Sequence, residues 1–256
     1  MFRSKPVKRI IGATLGALAL TAGTGASAAE NSTIPGTFSW NMALTSEYIF
    51  RGLTQTDEGP AILGGVDYDY KLSDDVTLYT GLWASNVDFN ESAAVDGATI
   101  ETDLYGGLKG KIGRTGVSWN AGLIYYAYPA ADSSLNYDFL EFTMGGGYDF
   151  GFAEVIASVN YSPEYFGNSG EAIYTKIGAN VPIPWVKGLS VSGHVGEQYI
   201  ENSAAFGTPD YFDWALGISY DANGLFNVSI QYTDTDVTPD TAGKDEAIVF
   251  AVGKSF

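Results

Sequence analysis

From Phe38 to Phe50 every second residue is bulky and apolar with one exception: Phe38, Trp40, Met42, Leu44, Ser46, Tyr48, Phe50. The residues between them, Ser39, Asn41, Ala43, Thr45, Glu47 and Ile49, are mostly small or polar. Successive side chains of a strand point to opposite faces, so this period gives one apolar face and one polar face. The run exceeds the strand of an ordinary soluble sheet, about 5–6 residues. It suits a strand that crosses a bilayer at a tilt, which needs about 9–11 residues, with lipid on one side and a wet lumen on the other. The same pattern returns down the chain to Phe256. The expected fold is all-β: an antiparallel transmembrane β-barrel.

Period-2 runs and turn residues divide the chain into about twelve strands, at 37–51, 60–71, 76–87, 100–111, 117–128, 138–150, 153–162, 172–181, 189–200, 210–221, 225–234 and 246–256. Their connections alternate in length. Short turns such as 72–75, 112–116, 151–152 and 222–224, with a somewhat longer one at 182–188, alternate with loops at 52–59, 88–99, 129–137, 163–171, 201–209 and 235–245. Short periplasmic turns opposite long outer loops mark outer-membrane barrels, and an even strand count places both termini in the periplasm. A soluble sandwich has no reason to sort its connections in this way.

The first residues read as an export signal. Arg3, Lys5, Lys8 and Arg9 precede an apolar run from Ile10 to Ala22, and Ala26-Ser27-Ala28 has the small-x-small form of a cleavage site. The apolar run is too short for a membrane-spanning helix, which needs about 20 residues. The expected organisation is a cleaved signal at 1–28, a short lead at 29–36 and a barrel at 37–256. Mean hydropathy is only +0.01, as expected when half of each strand faces a polar interior. The chain has no cysteine, which excludes disulfides and thiol-ligated metal. Of its 13 Lys+Arg and 30 Asp+Glu, four basic residues and no acidic ones fall in the signal, so the remainder carries 9 − 30 = −21. Nucleic acid, which demands a basic surface, is therefore an unsuitable partner.

Outward apolar rows are legible as Leu140, Phe142, Met144; Val155, Ala157, Val159, Tyr161; Phe212, Trp214, Leu216, Ile218, Tyr220; and Phe226, Val228, Ile230, Tyr232. The third strand is ambiguous, since Leu78 and Leu82 argue for one face and Tyr79 and Trp83 for the other. The last strand alternates through Ile248, Phe250 and Val252 to Phe256, which resembles the C-terminal recognition strand read by the outer-membrane assembly machinery. Lys254 departs from the apolar residue usual at its step. The expected surroundings are outer-membrane lipid and lipopolysaccharide.

Sequence motifs add a family resemblance. Leu44-Thr45-Ser46-Glu47-Tyr48-Ile49-Phe50-Arg51-Gly52-Leu53-Thr54-Gln55-Thr56 resembles the opening motif of the TorF-type porins. Pro60-Ala61-Ile62 with Gly64-Gly65, Leu82–Phe89, Glu101–Gly107 and Tyr125–Pro129 extend the likeness. The resemblance implies an outer-membrane barrel of Gram-negative bacteria with a pore function. It carries over no catalytic residue and no substrate.

Candidate pore-lining residues are the charged members of the inward rows: Asp67 and Asp69 on one strand, Glu101 and Asp103 with Tyr105 on another, then Glu141, Lys176, His194 and Asp213, with Arg51 near the outer mouth. Lys109 and Lys111 lie near the periplasmic end. Excess negative charge in a low-dielectric tube concentrates cations, so weak cation preference in a channel for small hydrophilic solutes or ions is expected. The competing reading is a salt-bridged network that closes a modest barrel with its own side chains. A non-conducting adhesin, receptor or structural barrel then becomes the alternative function. Arg51 itself reads either as a selectivity charge or as a structural partner for a carboxylate. The acidic loops, with Asp234-Thr235-Asp236 as a fragment of an oxygen-ligand cluster, lack the glycine and distant glutamate of a calcium loop. They read as solvated, with weak divalent bridging to lipid as the alternative. His194 is the only histidine, and Ser190 and Ser192 on its own row lie too far along the strand for a hydrolytic triad. No enzyme, metal site or cofactor is expected.

Overall fold

The computed structural model describes residues 34–89, 91, 95–237 and 246–256. The expected signal, the first part of the lead, and Asp240, Lys244 and Asp245 of the last loop lie outside these residues. In chain order the strands are β1 (Thr37–Thr45), β2 (Ile49–Phe50), β3 (Leu53–Thr54), β4 (Ala61–Lys71), β5 (Val76–Asn86), β6 (Ile100–Lys111), β7 (Val117–Ala127), β8 (Phe139–Asp149), β9 (Glu154–Ser162), β10 (Ala172–Pro182), β11 (Leu189–Ile200), β12 (Tyr211–Asp221), β13 (Asn227–Thr235) and β14 (Ala247–Ser255). One α-helical turn, α1 (Ser203–Phe206), sits in the loop before β12, and 3-10 turns lie at Ser133–Leu135 and Phe166–Asn168 in two other loops.

Twelve of these strands, β1 and β4 to β14, form one closed antiparallel barrel in which each pairs with its sequence neighbour. β1 closes it against β14, with Asn41 opposite Ser255 and Thr45 opposite Ala251. The Trp40 and Phe256 backbones exchange hydrogen bonds of 3.3 and 2.8 Å beyond the end of that ladder. Closure leaves no strand edge, which is the condition for a sheet in hydrocarbon, where an unpaired backbone group costs several kcal/mol.

The apolar rows face outward. Ile62, Met144 and Leu216 are 63%, 62% and 62% exposed, and Phe142, Phe212, Ile218, Ile230 and Phe250 are exposed with them. The third-strand ambiguity resolves in favour of the leucines: Leu78 and Leu82 are exposed, whereas Tyr79 and Trp83 are buried in the interior. Lys254 stays on the outward row of β14, with its ammonium 4.8 Å from the Phe256 ring centre.

The expected first strand, 37–51, is too long. The wall strand β1 ends at Thr45; at Ser46 the backbone N–H still donates to Phe250 O (2.8 Å), while the hydroxyl, in place of the carbonyl, accepts from Phe250 N at 2.9 Å. The chain then turns inward. β2 and β3 form a separate hairpin, with Ile49 opposite Thr54 and Phe50 opposite Leu53. Tyr48, expected on the outward row, is 3% exposed inside the barrel. The hairpin base is fixed by Gln55 N donating to Tyr48 O (2.8 Å) and by Asp88 N donating to Gln55 O (2.8 Å).

Burial divides the interior into two halves. At the end that carries the long loops, inward residues such as Ser85, Glu101, Tyr126, Glu141, Tyr174, Gln198, Asp213 and Thr233 are buried. Toward the short turns, inward Asn180, Ser192, Ser229 and Gln231 are only half-buried. Among the described residues the interior is thus tightly filled at the loop end and looser toward the turns, where it forms a polar vestibule.

Candidate functional site

The hairpin between β2 and β3 carries the site. Its tip is Arg51-Gly52, with φ of 50° and 81°. Two positive φ values are what a two-residue type I′ hairpin demands, and Asn-Gly or Asp-Gly usually supplies them. Gly52 meets the demand without strain, and a Cβ there would also lie 2.4 Å from Thr235 Cγ2. Arg51 adopts the conformation despite its Cβ, because its side chain is held elsewhere.

Arg51 is 6% exposed. Its Nη2 donates to both Glu141 carboxylate oxygens, at 2.8 and 2.7 Å, and its Nη1 donates to Gln198 Oε1 at 2.8 Å. The guanidinium carbon lies 4.6 Å from the Phe50 ring centre, 4.4 Å from that of Tyr174 and 5.9 Å from that of Tyr165. Arginine is charged at any physiological pH, so this cation must be matched where it is buried. Glu141, on β8, supplies the charge, Gln198, on β11, a neutral acceptor, and the ring faces a further attraction of about 0.5–2 kcal/mol each. The hairpin therefore latches to the opposite wall rather than to Asp57 or Glu58 beside it in sequence.

Around the latch, tyrosines donate to three further carboxylates, Glu101, Asp213 and Asp67. Tyr48 and Tyr128 each donate to Glu101, at 2.7 Å. Tyr174 donates to Asp213 at 2.8 Å, and His194 Nε2 lies 2.9 Å from the other oxygen of that carboxylate. Gly196, between them on β11, makes this possible: a Cβ there would sit 2.3 Å from both Tyr174 Oη and Asp213 Oδ2. Deeper in the vestibule Tyr105 donates to Asp67 (2.6 Å) and Lys109 pairs with Asp69 (2.8 Å). Asp103 is 2% exposed, and its Oδ1 has no hydrogen-bond partner among the described residues.

Over the latch the loops contribute rings. Phe89, Tyr128, Tyr137 and Phe166 meet edge to face or stacked, with centroids 4.1–5.9 Å apart. Phe206 of α1 joins through Phe166, at 6.4 Å, and also meets Tyr165 at 5.5 Å. Such pairs add about 0.5–1.5 kcal/mol each beyond burial. Burial, with the Glu91 carboxylate beside it, pushes the Tyr137 phenol up to about 12.

All nine candidate residues therefore face the interior. The correction concerns Arg51, which sits at the tip of an inserted hairpin and not on the wall or at the rim. Lys111, expected to oppose the acidic rows, is exposed. Tyr48, Tyr105, Tyr128, Tyr174 and Gln198 complete the network and were not among the charged candidates. The loop carboxylates are largely occupied by local backbone: Asp236 accepts from Phe212 N (2.7 Å), Asp210 from Ile200 N (2.9 Å) and Asp138 from Tyr128 N (2.8 Å). Asp234 accepts from Tyr232 Oη at 2.9 Å, so the Asp234-Thr235-Asp236 segment ties down strand ends. Among the described residues no group of three His, Cys, Asp or Glu is placed to hold a metal ion.

A family model described as "Bacterial protein of unknown function (Gcw_chp)" matches residues 28–256. The chain belongs to that family. The match carries this description and not the TorF-type name that the motifs suggest. No curated protein matches the Gcw_chp chain in sequence. Among solved structures it is similar to the COG4313 outer membrane channel from Pseudomonas putida F1, with 9% identity, a TM-score of 0.55, and 88% of this chain and 97% of that one covered. It is also similar to the KdgM porin, at 8% identity and a TM-score of 0.51, covering 85% and 98%. At such identities the likeness shows the shared barrel fold.

Proposed function

We propose that this Gcw_chp protein is an outer-membrane channel for small hydrophilic solutes, with a weak preference for cations, and that the TorF-type resemblance reflects this role. The observation that carries the reading is a closed barrel whose outer wall is apolar and whose inner wall holds more carboxylates than bases. Asp67, Asp69, Glu101, Asp103, Glu141 and Asp213 face Arg51, Lys109, Lys176 and His194. Carboxylates in a low-dielectric tube lower the local potential for cations. The KdgM porin has been solved in complex with disordered oligogalacturonate, a polyanion that an acidic wall of this kind disfavours.

Supporting the location are the export-type first residues, a family match that begins at residue 28, and the outward row Ile248, Phe250, Val252 and Phe256, which we assign to recognition by the assembly machinery. In this reading the short turns and both termini face the periplasm, and the apolar belt meets outer-membrane lipid and lipopolysaccharide. Cysteines introduced at Asp96 and Ala204 should then react with an impermeant maleimide on intact cells, and those at Asp74 and Arg114 should not. Equal labelling at all four positions would rule out the orientation.

Ion preference is tested by replacing Asp67, Asp69, Glu101 and Asp103 with their amides and measuring reversal potential in a salt gradient. Loss of cation preference is the expected result. An unchanged reversal potential would remove these side chains from the conduction path. The Arg51 latch favours a second reading, a barrel that stays shut and serves as a structural element or receptor. Under that reading the wild-type protein carries no current at all.

A further inference from the structure

The latch is built as a receptor for a guanidinium group. Glu141 and Gln198 are 1% and 0% exposed, and both direct oxygen atoms to one guanidinium that lies 4.4 Å from the Tyr174 ring centre and 5.9 Å from that of Tyr165. None of these four residues belongs to the hairpin. If the hairpin withdraws, they remain on the wall strands and adjoining loop as a negatively charged, ring-lined acceptor. Lys176, two residues along β10 from Tyr174, is the opposing cation on that wall. What fills the acceptor is a single side chain on a hairpin with only two paired positions. That side chain holds a positive φ at a tip where Gly or Asn is the usual choice. An unfavourable backbone conformation kept for the sake of one side chain marks a functional contact.

We infer that Arg51 is a resident stand-in for a guanidinium-bearing small solute, which takes the Glu141–Gln198–Tyr174 site and releases the hairpin. This deepens the channel reading, on which it rests, by naming the class of solute. Because Arg51 is tethered, it competes at an effective concentration in the millimolar range, so a free solute must reach about that level to displace it. A solute with further contacts to the acidic vestibule would compete at less. The acceptor discriminates by hydrogen-bond donors and planarity, since a guanidinium presents its N–H groups in a rigid plane whose face can lie against the Tyr174 ring.

The test uses Arg51→Gly in the full barrel, a change the turn geometry favours, with methylguanidinium as the probe. At about 10 mM, methylguanidinium should raise the melting temperature of the purified variant in detergent by about 2–4 °C relative to sodium at equal ionic strength. Wild type, whose own guanidinium competes for the site, should shift by less than the variant, and adding Glu141→Gln to the variant should abolish the effect. Tetramethylammonium, a cation without donors, should not substitute. Should Arg51→Gly fail to assemble alone, refolding in methylguanidinium should restore the barrel. Equal response to methylguanidinium, sodium and tetramethylammonium, or absence of rescue, would overturn the inference. The readout is binding. A stabilised variant in a silent bilayer would therefore contradict the channel and leave the receptor standing, and a conducting barrel with no stabilisation would do the reverse.

Discussion

Glu141→Gln is expected to free the hairpin that closes the loop end of the barrel. The substitution keeps the volume and removes the charge that matches Arg51, leaving a guanidinium that is 6% exposed without its counter-ion. Breaking one partner of a buried ion pair costs about 3–5 kcal/mol. The hairpin can escape part of that cost by leaving the interior, giving up its remaining contacts: Gln198 and the rings on Arg51, the Tyr48–Glu101 hydrogen bond and the Phe50–Tyr126 ring pair. The Arg51–Gly52 bond then becomes a trypsin site. Cleavage after Arg51, identified by mass spectrometry, should be at least about 100-fold faster in the variant than in wild type, as a loss of this size implies at about 1.4 kcal/mol per factor of ten. Single-channel conductance should rise with it. Equal protection of Arg51 in both proteins would show that Glu141 does not hold the hairpin.

Leu216→Arg should block assembly. Leu216 lies in the middle of β12, is 62% exposed on the outer wall, and faces Tyr232 and Gly193 across the ladders. Arginine on the lipid face near the bilayer midplane costs about 2–4 kcal/mol, and neighbouring leucine- and isoleucine-rich rows offer it no acceptor. Ser229→Arg is the matched control: it points into the polar, half-buried half of the interior. Heat-modifiable mobility on cold gels and yield from membranes should fall for Leu216→Arg and hold for Ser229→Arg. If the two variants suffered equally, the outward assignment of β12 and β13 would be wrong.

The wall strands could be read from sequence because alternation and turn residues state them locally. Their bounds fall within a few residues of the structure from β4 to β14, and the apolar rows face out as read. β1 shows where this logic stops. Tyr48 and Phe50 continue the period of Phe38 to Leu44, and parity alone cannot distinguish a ring in lipid from a ring in a plugged interior. The turn at Arg51-Gly52 is silent in the sequence for a related reason, since Arg is not a residue that announces a type I′ tip. On β5, Tyr79 and Trp83 suit an outer belt as well as an interior with hydrogen-bond partners, so only the assembled barrel decides between them and the leucines. The latch itself depends on cross-barrel proximity of residues 51, 141 and 198, which register and closure create. A sequence-level hint did exist: tyrosines share the inward rows with carboxylates, as Tyr105 does with Glu101 and Asp103, and buried carboxylates need donors.

The central question is whether this barrel conducts. Purified wild-type protein in a planar bilayer should give discrete current steps of low conductance, with a reversal potential shifted toward cation permeation in a salt gradient. Arg51→Gly should give larger steps of the same sign. Verified insertion of both proteins with no current from either would contradict the channel and leave a sealed barrel in its place.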